Sequence, residues 1–391
     1  MTDLSGATSI DTHAPPTCRA RLLIVDDSAV MRHMLRRALG AESTFEIAGE
    51  ASNGRQALDL IEQDVPDAIL LDVVMPSMDG LETLVEIRKR HPALPVFLFG
   101  TLSGQDDTST ALDALDKGAS DYMAKPVAGD PDAIRVMTQA LIPRLKALIE
   151  AAAPSRNPSR IARTPSCAPL SCAPPTRRGD APARTPGRPD ILVIGSSTGG
   201  PSALLDIVCA LPANCNVPVL IVQHMPPVFT RQLAERLDSR GVLSVEEATD
   251  GVELAAGGVW VAPGNFHMVV ERTPTRAVLR LHQGPKEQGC RPAVDVLLRS
   301  VAEAYGARTL AVILTGMGHD GLSGCRQLRK ARAQIVIQDE STSVVWGMPG
   351  AVAREGLHDA MLPLGAIGKD IASRLTTPHI QLVSHSPRTQ S

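Results

Sequence analysis

The chain has 391 residues, 39 Lys and Arg against 42 Asp and Glu, and seven cysteines. That length predicts two domains, and the near-neutral charge excludes a global basic field for nucleic acid or anionic lipid, leaving a protein or small molecule as the expected partner. The cysteines lack CxxC, zinc or disulfide-framework spacing, and the longest apolar runs are strand-length; the expectation is a cytoplasmic protein without direct membrane insertion, in which Cys209 and Cys215 act as small apolar residues.

Residues 1–20 are polar and Thr-rich with paired prolines and read as a disordered tail, unlike a secretory signal. From 21 to 150, short apolar runs alternate with helical periodicity, the pattern of a parallel sheet covered by helices. Strands are predicted at Leu22–Val25, Phe45–Ala48, Ala68–Leu71, Val96–Phe99 and Asp121–Met123. Helices are predicted at Ala29–Leu39 and Gly80–Arg90, with a last one capped by Asp130 and opened by Pro131. Residues 151–189 are rich in Pro, Arg and Ser, too poor in large apolar side chains to fold, and read as a linker. Over 190–375 the βα alternation resumes, interrupted by a β-rich stretch through Val259–Ala262, Met268–Val270 and Val278–Leu281 that implies an inserted hairpin. Residues 376–391 form a polar, mobile tail. The fold class expected is therefore α/β, with two doubly wound parallel-sheet domains.

Ligands of such sheets bind at the carboxyl edge. Asp26 and Asp27 follow the first strand, Asp72 follows the third and Lys125 follows the fifth. Carboxylates crowded on one edge call for a hard divalent cation such as Mg²⁺, and an aspartate beside a cation and a lysine can take up a phosphoryl group as an acyl phosphate.

In the second domain Ile191–Ile194 is a buried strand, followed by Gly195-Ser196-Ser197-Thr198-Gly199 and a helix start at Pro201. The G-x-S-x-G spacing makes Ser197 the candidate nucleophile and the Thr198 N–H a candidate oxyanion donor. The glycine spacing is neither G-x-G-x-x-G nor a P-loop, which makes nucleotide binding the weaker reading. A serine needs a base and an orienting acid. Among His224, His267, His282, His319 and His358, His224 directly follows the apolar strand Val217–Val222; among Asp206, Asp250 and Asp320, Asp320 follows Leu310–Leu314 through a Gly-rich turn. Strand ends thus select Ser197, His224 and Asp320, with His319 a lower-ranked base.

Leu71-Asp72-Val73-Val74-Met75-Pro76, Met78-Asp79-Gly80, Asp26-Asp27 and Lys125-Pro126 together resemble the receiver domain of response regulators. That resemblance implies Asp72 as phosphoacceptor, Mg²⁺ held by Asp26, Asp27, Asp72 and the Val74 carbonyl, and Lys125 on the phosphoryl group. The family places Ser or Thr after the fourth strand, where this chain has Gly100 with Thr101 one step on, and it carries a switch aromatic where Tyr122 stands; a half-buried structural Tyr is the equal alternative. Gln223-His224-Met225-Pro226, Leu314 to Gly321, Arg291-Pro292-Ala293-Val294-Asp295 and Gly347-Met348-Pro349, with the serine turn, resemble the catalytic domain of the chemotaxis protein-glutamate methylesterases. This implies a second oxyanion N–H from Met317 and no cofactor in the catalytic domain. As substrate it implies methylated glutamates of chemoreceptor helices, with deamidation of glutamine in some members, and as phosphodonor a chemotaxis histidine kinase. Two alternatives are a phosphorylation-gated binding module without chemistry, against which the second half shows no basic recognition unit, and a hydrolase of another ester.

Overall fold

The computed structural model describes residues 19–100, 105–126, 131–156 and 187–376. The terminal tails, most of the linker, Thr101 and the Asp130 cap lie outside the described residues. The first half runs β1 (Ala20–Val25), α1 (Ala29–Gly40), β2 (Phe45–Ala51), α2 (Gly54–Gln63), β3 (Ala68–Asp72), α3 (Gly80–Arg90), β4 (Val96–Gly100), α4 (Gln105–Asp116), β5 (Asp121–Ala124) and α5 (Pro131–Arg156). Its five parallel strands are ordered β2-β1-β3-β4-β5. Alternation along each strand sends Leu22, Ile24, Phe97 and Phe99 toward α1 and α5, and Leu23, Val25, Ile69 and Leu71 toward α2, α3 and α4. Helix starts are set locally: Ser28 caps α1, Asn53 caps α2, and Asp79 with Glu82 forms a capping box on α3. The last helix continues to Arg156, past the boundary that composition suggested.

The second half comprises β6 (Ile191–Ser196), α6 (Gly200–Ala210), β7 (Val219–Gln223), α7 (Pro227–Arg240), β8 (Val245–Glu247), β9 (Val259–Val261), β10 (His267–Arg272), β11 (Ala277–His282), α8 (Val294–Tyr305), β12 (Thr309–Ile313), α9 (Leu322–Lys330), β13 (Gln334–Gln338), α10 (Met348–Arg354), β14 (Ala360–Leu362) and α11 (Leu364–Thr376). Seven parallel strands are ordered β14-β13-β12-β6-β7-β9-β8, and β10 with β11 forms a separate antiparallel hairpin. The strand at Val259 is therefore not part of the inserted hairpin: it joins the main sheet beside β7, because Val259 and Val261 pack on one face and Trp260 on the other. Cys215 is buried as expected, whereas Cys209 is exposed with its Sγ directed at the Arg240 carbonyl. Short apolar runs become fully buried parallel strands because helices cover both faces; β6 and β12 are buried at every position. Among the described residues no helix is long and apolar enough to cross a membrane.

The domains pack edge to edge through α4, β5 and α5 of the first and α6, α7 and the loops around Met317 and Val345 of the second. Phe229 of α7 is fully buried in the core cluster beneath α4, and Val345 with Met317 packs into the cluster on α5. Arg236 of α7 pairs with Asp113, at 2.5 Å, and with Asp116 of α4. The Ser202 hydroxyl donates to the Leu115 carbonyl at 3.1 Å.

Candidate active site and phosphoacceptor pocket

Strands β1, β3 and β5 deliver the residues at their ends to one edge, which is why three segments far apart in sequence meet there. Carboxylate oxygens of Asp26, Asp27 and Asp72 lie within 4.8 Å of one another. Lys125 Nζ lies 2.7 Å from both Asp26 and Asp72. Asp26 and Asp72 are buried and Asp27 is exposed. Burial pushes Asp72 up to about 6 against the pull of the Lys125 bond, and the Asp26 charge adds to the rise. One ammonium does not neutralise three carboxylates, so this donor set of hard oxygens fits a divalent cation such as Mg²⁺.

Gly100 ends β4, in register with Ala124, and its carbonyl accepts the Lys125 N–H at 2.8 Å and the Tyr122 hydroxyl at 3.2 Å. Tyr122 is buried, and its ring centroid lies 4.8 Å from that of Phe229 in the second domain. Tyr122, for which the sequence leaves the switch and structural readings equal, sits in the domain interface on the strand that leads to Lys125.

The second domain builds its site by the same rule, on the carboxyl edge of β6, β7 and β12. Ser197 follows β6 on a turn closed by Gly200 N–H to the Ser197 carbonyl at 2.8 Å, with Ser197 N–H donating to the Thr315 carbonyl at 3.0 Å. Gly199 then opens α6 at φ +76°, a left-handed conformation that favours glycine, which explains the last position of the G-x-S-x-G spacing. Ser197 is partly exposed while Ser196 is buried, its hydroxyl donating to the Gln223 side-chain oxygen at 2.7 Å. The adjacent serines are thereby separated into a candidate nucleophile and a structural residue.

His224 follows β7, and its Nε2 lies 2.8 Å from the Asp320 carboxylate. Donation of Nε2–H to Asp320 fixes the tautomer and orientation of the ring. Asp320 also accepts the backbone N–H of Val294 at 2.6 Å, Asp295 at 2.8 Å and Gly321 at 2.9 Å, so it is seated at the N-terminal ends of α8 and α9. Burial alone would raise its pKa; the His224 bond and charge and the N–H donors reverse that, and it stays below its ordinary value. Burial likewise lowers the His224 pKa, but bonds to Asp320 and to the Cys290 sulfur outweigh it and raise the imidazole well above its ordinary value.

Of the other histidines, His267 is buried in the hairpin with Nε2 bonded to the Pro285 carbonyl, and its ring pairs with that of His282. His319 stands next to Asp320 in sequence, but the imidazole bonded to Asp320 is that of His224.

Three contributors went unassigned in the sequence. Gln223 is buried and ties Ser196 to the Ser197 carbonyl, donating to the latter at 2.8 Å. A buried amide at the end of an all-apolar strand is itself a signal, since such groups are retained where they bond something. Cys290, on a loop with no recognisable motif, adds to the raised pKa of His224. Asp121 of β5 accepts the Thr198 hydroxyl at 2.9 Å across the domain interface while bonded to Arg144 at 2.8 Å, a contact that only the packing of the two domains creates.

Comparison with known proteins gives the same two-part division. A response regulator receiver domain model matches residues 22–138, and a CheB methylesterase model matches residues 192–371. A protein-glutamate methylesterase/protein-glutamine glutaminase of Trichodesmium erythraeum is 42% identical over 357 residues, covering 91% of this chain and 99% of that protein. One from a Nocardioides species is 43% identical over 366 residues, covering 93% of this chain and 97% of its own length. With relatives this similar matched along nearly their whole length, the chain belongs to the protein-glutamate methylesterase/protein-glutamine glutaminase family, a receiver domain followed by a methylesterase domain.

Proposed function

We propose that the chain removes methyl groups from glutamate methyl esters on the cytoplasmic helices of chemoreceptors, and deamidates glutamine there, through an acyl-enzyme on Ser197. The carrying observation is the convergence at one sheet edge of Ser197 on the turn opened by Gly199, His224, and an Asp320 bonded to His224 at 2.8 Å. His224 takes the Ser197 proton as Ser197 attacks the carbonyl; the N–H groups of Thr198 and Met317 face the oxyanion; methanol or ammonia leaves. Water activated by His224 then hydrolyses the glutamyl-serine ester, and Asp320 holds the tautomer and stabilises the imidazolium. The same groups act on ester and amide because both pass through one oxyanion.

The receiver is the control element in this reading. A histidine kinase of the chemotaxis system is the phosphodonor and Asp72 the acceptor, with Lys125 on the phosphoryl group. Asp26, Asp27, Asp72 and the Val74 carbonyl would hold Mg²⁺, which offsets charge on the transferring phosphoryl group. Packing of α4, β5 and α5 against the Ser197 rim keeps a bulky helical substrate out, and phosphorylation acts by weakening that packing. Mass analysis of the Ser197 peptide after rapid acid quench of the enzyme on methylated receptor tests the chemistry: a glutamyl adduct on Ser197 is expected, and turnover without any adduct on that peptide refutes it.

A further inference from the structure

The receiver covers the rim without filling it. Between the domains lies a cavity of about 370 Å³, lined on one side by Ser197 and His224 and on the other by Met123, Val136, Met137 and Ala140 of the receiver. Its two charged wall residues, Asp121 and Arg144, are bonded to each other at 2.8 Å, and Asp121 also holds the Thr198 hydroxyl. Apart from Ser197, Gln223, His224 and that ion pair its lining is apolar, and it suits a largely apolar ligand. His224 and Asp320 are 2.8 Å apart with the receiver in place, so closure leaves the base assembled.

We propose that the closed, unphosphorylated protein is itself a hydrolase of small apolar carboxylic esters, with the receiver supplying the far wall of the acyl pocket. This rests on Ser197 being the nucleophile. The size argument is direct: since about 150 Å³ admits a benzene ring, a cavity of about 370 Å³ admits an aryl ester. A receptor helix, about 10 Å across with its side chains, does not fit. Ser197 Oγ adds to the ester carbonyl as its proton passes to His224; the alcohol leaves with that proton. Water then cleaves the acyl-serine bond, giving the carboxylic acid and free Ser197, with no further co-reactant. Closure thus selects by size, and opening removes the receiver wall, so the two substrate classes respond to phosphorylation in opposite directions.

The test uses the full chain with 4-nitrophenyl butyrate and, separately, methylated receptor, each with and without acetyl phosphate and Mg²⁺. The phosphodonor should raise receptor demethylation and lower kcat/KM for the aryl ester about threefold or more, as apolar contacts with the receiver are lost. Val136 and Ala140 line the cavity without being buried in the receiver core, so larger side chains there are compatible with the fold. Ala140→Trp and Val136→Phe should each cut aryl-ester kcat/KM without phosphodonor by about tenfold at an unchanged unfolding midpoint. Aryl-ester turnover that rises in parallel with receptor demethylation, or that ignores both substitutions, overturns the proposal. Ser197→Ala should leave only the uncatalysed rate; turnover persisting in that variant refutes Ser197 as nucleophile, a failure separate from that of the cavity.

Discussion

Replacing Gln223 with Leu removes the one side chain that ties the two serines of the nucleophile turn together while keeping a side chain of comparable size. In the native site the amide accepts the Ser196 hydroxyl at 2.7 Å and donates to the Ser197 carbonyl at 2.8 Å. The Ser197 carbonyl keeps a second donor, the Gly200 N–H at 2.8 Å, so its loss is one ordinary bond. Ser196 is fully buried and is left with an orphaned hydroxyl. One net hydrogen bond at about 1 kcal/mol plus an unsatisfied buried hydroxyl at about 1–3 kcal/mol predicts a stability loss of about 2–4 kcal/mol. Adding Ser196→Ala removes the orphan, so the double variant should recover about 1–2 kcal/mol relative to Gln223→Leu alone. In catalysis, a serine displaced on a loosened turn should lower kcat about 10- to 100-fold with KM little changed. Urea unfolding of wild type, both single variants and the double variant reads the first effect; methanol release under receptor saturation reads the second. An additive cycle, or native kcat in a variant that has lost stability, refutes the claim that the amide positions the nucleophile.

Because His224 must be neutral to take the serine proton and its pKa is raised by Asp320 and Cys290, demethylation by the phosphorylated enzyme should climb with pH into the alkaline range, and Cys290→Ala should move that limb to lower pH in a pH–rate profile. The linked stability has a definite sign: a raised folded-state pKa stabilises the fold below the ordinary histidine value of about 6.5 and loses that contribution as pH rises toward about 10, so unfolding midpoints should fall over that window in wild type and less in His224→Gln. Arg236→Ala removes the pairs to Asp113 and Asp116 and should raise receptor demethylation without phosphodonor about two- to fivefold, the modest figure reflecting partly exposed ions; no change in that assay rules out this pair as a latch. A Cβ at Gly100 would sit 3.2 Å from Val73 and 3.3 Å from the Tyr122 hydroxyl, so Gly100→Ser both supplies the missing hydroxyl and presses on the Tyr122 to Phe229 contact; the ratio of activity with and without acetyl phosphate should rise, and an unchanged ratio refutes the hydroxyl argument.

What the sequence made legible follows from strand ends. Parallel strands buried on both faces are unbroken apolar runs, so their ends can be counted; that position singles out His224 and, through the Gly-rich turn after β12, Asp320, while Ser197 is singled out by its G-x-S-x-G spacing. The acidic edge of the receiver was readable for the same reason. Pairing was less visible: the run at Val259 has the same local pattern whether it enters the hairpin or the main sheet, and only its packing beside β7 decides. Contacts between the domains were hidden altogether. Nothing in the sequence pattern sets Phe229 or Asp121, the first residue of β5, apart, yet one is buried against Tyr122 and the other bonds Thr198, because their partners come from the other domain.

The central claim is that Ser197 performs the hydrolysis and Asp72 controls it. Methanol release from methylated receptor, measured side by side for wild type, Ser197→Ala and Asp72→Asn with and without acetyl phosphate and Mg²⁺, tests both halves at once. The expected pattern is release by wild type that rises with the phosphodonor, release by Asp72→Asn that does not, and a loss of several orders of magnitude in Ser197→Ala under either condition. Near-native release by Ser197→Ala, or full stimulation of Asp72→Asn, would contradict it.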